Sequence, residues 1–186
     1  MGSDTPISSE TAKVLKLVSR QQWRHFWIQG GAFAGRSRRS PGVYSLPSLT
    51  VEAVDLFRIE ATSIQLASGC EAFAIDLAIE REIGTPQSER LWRPRRERIG
   101  GFPSDLDLSP FLNTIIDVSL LRGTLSKQAT DAANCHLFFD ALRVHADDHR
   151  LLILPDEEMP ESILLVRNGG LIDRVLSSTV SIVGVD

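Results

Sequence analysis

The sequence predicts an α+β fold: a mainly antiparallel sheet with a long N-terminal helix and a second helix near residues 126–144, within a single domain spanning 1–186. Three observations carry that prediction. The stretch from Ser9 to about Gln29 contains neither Gly nor Pro and has Gly30 where a C-terminal cap belongs. The segment Phe73-Ala-Ile75-Asp-Leu77-Ala-Ile79-Glu alternates apolar and polar residues, the period of a half-buried strand. Several more short strand-like runs gather in the last forty or so residues, so strands group with strands and helices stand apart.

Along the chain, Ser8 or Ser9 serves as an N-cap for the first helix. Val14, Leu17, Val18, Phe26 and Trp27 recur at three and four on one face, leaving Lys13, Lys16, Arg20 and Arg24 to water. The apolar stripe is weak at Gln21 and Gln22. Residues 30–48 read as loop because Gly and Pro punctuate basic and hydroxyl side chains. Phe57 to Ala61 and Ile64 to Leu66 fit strands of a meander, although Val51 to Ile59 fits a short helix equally well, and Ser68-Gly69 reads as a turn. Residues 84–110 are rich in breakers and form a loop unusually long for a compact domain, which points to a functional or mobile segment.

Phe111 to Leu121 is apolar enough for a buried strand that ends at Arg122-Gly123. Ser126 then caps the second helix, with Ala132, Cys135, Phe139 and Leu142 on one face. Four strands complete the chain at Arg150 to Leu154, Ser162 to Arg167, Leu171 to Leu176 and Thr179 to Val185, with Asn168-Gly169-Gly170 as a hairpin turn.

Composition excludes several classes. With 42% hydrophobic and 24% charged residues the chain lies far from the composition of disordered proteins. Apolar runs such as Leu151 to Leu154 reach only four residues, against the roughly 20 needed to span a bilayer as a helix, so no membrane segment is expected. The N-terminus lacks the charged and apolar regions of a secretory signal, which leads to an expected cytoplasmic location. Cys70 and Cys135 are too few for a disulfide framework and read as reduced core residues.

Charge is distributed unevenly. Residues 1–48 hold seven basic groups against two acidic ones, a balance of +5, whereas residues 140–161 hold seven acidic groups against two basic ones, a balance of -5. Asp147 to Glu161 alone contains six carboxylates around one short apolar run, with Arg150 the sole Lys or Arg. Such asymmetry bears on partners and association rates rather than on fold.

Four stretches invite a chemical reading. Gly30 to Ser37 approaches a phosphate-binding loop, but Arg36 stands in place of the lysine and Ser40-Pro41 prevents the helix that should follow. Cys135 and His136 are adjacent on the expected helix and so point about 100° apart, which defeats a thiolate and base pair. His145, Asp147, Asp148 and His149 have the spacing of a helical metal or acid and base cluster, and would define a small metal-dependent or hydrolytic enzyme. Arg90 to Arg98, with Trp92 interleaved, has the mix of cation and indole that contacts RNA or DNA, but the chain's pI of about 5.6 runs against a nucleic-acid partner.

The leading expectation is a non-enzymatic binding or inhibitor protein without a cofactor or catalytic residues. It would capture a basic protein through Asp147, Asp148, Asp156, Glu157, Glu158 and Glu161. In general character, though on no motif, such a chain resembles an immunity or antitoxin-type protein, which implies a toxin domain as partner.

Overall fold

The computed structural model describes residues 9–29, 42–65, 71–79, 96–98, 108–123, 137–138, 140–156, 159 and 161–183. These build two packed β-sheets and two helices of ten residues each, so the α+β expectation is corrected to a mainly β protein. In order, the elements are α1 (Ser9–Val18), β1 (Gln21–Gln22), β2 (His25–Gln29), β3 (Val43–Leu46), β4 (Ser48–Glu52), β5 (Leu56–Gln65), β6 (Glu71–Ile79), β7 (Arg96–Arg98), a 3-10 turn (Ser109–Phe111), β8 (Ile115–Gly123), β9 (Leu137–Phe138), β10 (Asp140–Ala146), β11 (His149–Pro155), β12 (Ile163–Val166), α2 (Gly169–Ser178) and β13 (Thr179–Val183).

The first sheet has the order β1-β8-β10-β11-β12-β3, with β13 also pairing β8; the second has the order β7-β2-β4-β5-β6-β9. Every pairing is antiparallel except β6 with β9. The chain passes from one sheet to the other twice within a few residues, between β1 and β2 through Trp23-Arg24 and between β3 and β4 through Pro47. Such corners let two sheets share one core, and a proline without an N–H suits a point where ladder bonding changes partners.

That shared core is formed by the inner faces. Ile116, Val118 and Leu120 of β8, Leu142, Val144 and Ala146 of β10, and Leu151 and Ile153 of β11 face Phe26, Leu49, Val51, Phe57, Ile59, Ile75 and Leu77 of the second sheet. Val14, Leu15 and Val18 of α1 join the same cluster. A smaller cluster lies on the other face of the first sheet, where Leu121, Ala141, Leu152 and Val166 sit under Ile172, Val175 and Leu176 of α2.

The long N-terminal helix is not present: α1 stops at Val18, and the residues expected to extend it are strands. The cause is local. Arg20 adopts a left-handed φ of 61°, which breaks helical geometry, while its N–H donates to the Ile116 carbonyl at 2.6 Å and begins pairing with β8. Trp23 is then buried completely, its indole N–H donating to the Val18 carbonyl at 3.3 Å and its ring meeting Phe26 edge-on at 5.7 Å. The aromatic and β-branched run after it is better suited to a pleated sheet than to a helix.

The second helix fails likewise over its described part, because Leu137–Phe138 and Asp140–Ala146 are strands; residues 124–136, with Cys135 and His136, lie outside the described ones. As an inner strand of its sheet, β10 has Ala141 on the face under α2 and Leu142 on the face toward the core, and both are buried. From Leu142 the strand alternates buried Leu142, Val144 and Ala146 with half-buried Arg143 and exposed His145, a period-two signal that begins only at the end of the expected helix.

The reverse error occurs at Leu171 to Leu176, which is helical. Asn168 begins that helix, its side-chain oxygen accepting from the Leu171 N–H at 3.2 Å, so the expected hairpin turn is a helix start. Val51 to Ile59 forms parts of two strands joined at Ala53 to Asp55, not a helix. The expected strands at 150–154, 162–167 and 179–185 overlap β11, β12 and β13. The near phosphate-binding loop, the Ser68-Gly69 turn and most of 84–110 lie outside the described residues.

Candidate functional site

The described carboxylates of the 147–161 stretch are dispersed by β11. Asp147 and Asp148 form the two-residue turn between Ala146 and His149, which pair across β10 and β11. Both side chains are exposed, and Asp147 has a φ of 49°, a left-handed conformation that Asp tolerates better than most residues. At the other end of β11, Glu161 is exposed, while Glu157 and Glu158 lie outside the described residues. Seven strand residues separate the two ends, which puts the residues flanking β11 roughly 26 Å apart at about 3.3 Å per residue.

Asp156 belongs to neither surface, being fully buried. One of its carboxylate oxygens accepts from the Ser45 hydroxyl at 2.7 Å, tying β3 to the end of β11. Its N–H donates to the Ser162 carbonyl at 2.8 Å and its carbonyl accepts from Met159 at 3.1 Å, while Ser162 N–H donates to the Met159 carbonyl at 2.8 Å. The backbone bonds join the end of β11 to the residue before β12 while the carboxylate holds β3, and the burial of Asp156 removes it from any surface that a partner would meet.

Strand register adds a carboxylate that sequence reasoning missed. His145 pairs with Asp117 of β8 on one side and with Arg150 of β11 on the other, so these three form a row on one face of the first sheet. Asp117 is exposed and accepts from the Ser19 hydroxyl at 3.2 Å. Two residues before it, on the same face, Ile115 is 70% exposed. The turn Asp147–Asp148 begins two residues after His145 of the His145–Asp117 pair, which brings three exposed carboxylates and one exposed aliphatic side chain to one end of the sheet. The signal was available in the alternation of Ile115, Asp117 and Ser119 with Ile116, Val118 and Leu120, the mark of a strand with one polar face.

The cations on the strands bearing that turn are directed elsewhere. Arg150 Nη1 meets Asp173 of α2 at 2.7 Å, and Arg143 Nε donates to the Ser119 hydroxyl at 3.0 Å. Among the described residues, no ion pair involves Asp117, Asp147 or Asp148. Arg36, Arg38 and Arg39 and residues 90–95 lie outside the described residues, while Arg96–Arg98 form β7 at an edge of the second sheet.

The His145, Asp147, Asp148 and His149 set has a different geometry from the helical cluster its spacing suggests. His149 pairs with Ala146, which is buried in the core, whereas His145 pairs with Arg150, so the two imidazoles leave opposite faces of the sheet. The His149 ring lies 6.4 Å from the buried Phe111, which the Arg167 guanidinium covers from 4.9 Å. Among the described residues no group of three or more His, Cys, Asp or Glu is placed to hold a metal ion, and no helix is long and apolar enough to cross a membrane.

No family model, curated protein or solved structure matches this chain.

Proposed function

We propose that this chain is a non-enzymatic binding protein that captures a basic protein partner on an acidic surface, with the Asp147–Asp148 turn and Asp117 at its centre. The observation that carries this reading is the absence of ion pairs at these three exposed carboxylates among the described residues, although Arg143 and Arg150 stand on the two strands that bear the turn. Unneutralised like charges held close together disfavour the folded chain slightly and attract an oppositely charged surface. Ile115 beside them supplies apolar area that such a surface would bury. A toxin domain with a basic active surface is a partner of the required chemistry, and carboxylates facing it would take the place of phosphates.

Co-purification from the native host, with the tagged chain as bait, identifies the partner, and stopped-flow mixing then measures its association. Asp147→Lys with Asp148→Lys should lower the association rate tenfold or more at low salt, with little change in thermal unfolding. An unchanged rate in that double variant rejects the proposal.

A further inference from the structure

We draw no further inference here: the strongest candidate, the outer face of the second sheet, where strand register sets Trp27 beside Arg98 and Gln29 beside Arg96, carries nothing because those four side chains lie outside the described ones, while charged groups described on that face already meet one another, Arg58 with Glu60 at 3.0 Å and His25 with Glu52 at 3.3 Å.

Discussion

Asp156 shows how far the same residue type diverges with position. Asp147 and Asp148 occupy a turn where water solvates them, but Asp156, eight residues after Asp148, is fully buried and bound to Ser45. Removing a buried acceptor leaves its donor unsatisfied, at a cost of about 1–3 kcal/mol. Asp156→Ala should therefore lower stability by about 2 kcal/mol, read as a shifted midpoint in urea unfolding, whereas Asp156→Asn, whose amide oxygen still accepts from Ser45, should lose less. Equal stability of the alanine variant and the parent would show that the carboxylate is not an anchor. Trp23 provides the apolar counterpart. Its complete burial at the corner between the sheets makes Trp23→Ala a cavity mutation worth about 3–5 kcal/mol in the same measurement, and a loss under 1 kcal/mol would contradict its place in the core.

At the scale of elements, the edge of β8 explains why α1 is short. Gln21–Gln22 cover one part of that edge and β13 covers another, leaving Asp117 to Ser119 without a strand partner on that side among the described residues. Ser19, just after α1, closes the gap: its hydroxyl oxygen accepts from the Val118 N–H at 3.1 Å while the hydroxyl donates to Asp117. An uncovered strand edge invites association with other chains, and this one is blocked by a side chain. Ser19→Ala should cost about 1–2 kcal/mol through the unsatisfied Val118 N–H, with faster amide exchange at Val118 as the local readout; unchanged exchange there would remove this role.

Much of the sheet was legible in the sequence for the same reason that this helix was not. The β6 segment Phe73 to Ile79 shows period-two alternation, and short apolar runs mark β11, β12 and β13. Gln21 and Gln22, by contrast, read as part of the first helix because apolar residues resume beyond them at helical spacing. Only the pairing with β8, remote in sequence, decides that they belong to a sheet. The period-two alternation of β10 begins only at Leu142, where helical spacing from Ala132, Cys135 and Phe139 still reaches, and Asn168-Gly169-Gly170 suits both a turn and the helix start of α2. At the candidate site, the Asp147–Asp148 pair could be read directly, while Asp117 required strand register and the burial of Asp156 required knowing what lies over it.

For the molecule as a whole, the separation of the acidic ends decides how a partner would be met. Exposed charges farther apart than a Debye length, about 8 Å at physiological salt, act nearly independently, and the length of β11, which puts its two flanking ends roughly 26 Å apart, separates Asp148 from Glu161 by far more than that. The two ends therefore make separable contributions to steering. Reversal of Asp117 together with Asp147 and Asp148 should slow association with the captured partner tenfold or more and flatten its dependence on salt, because the field that guides encounter is removed. Glu161→Lys should alter the same rate less than twofold at physiological salt. Dissociation should respond to Ile115→Ser instead, since short-range apolar contact acts after encounter and governs lifetime more than arrival. A Glu161 effect as large as that of the Asp147–Asp148 turn would place the contact surface at the β11–β12 end, and an Ile115 variant with unchanged dissociation would confine recognition to the carboxylates.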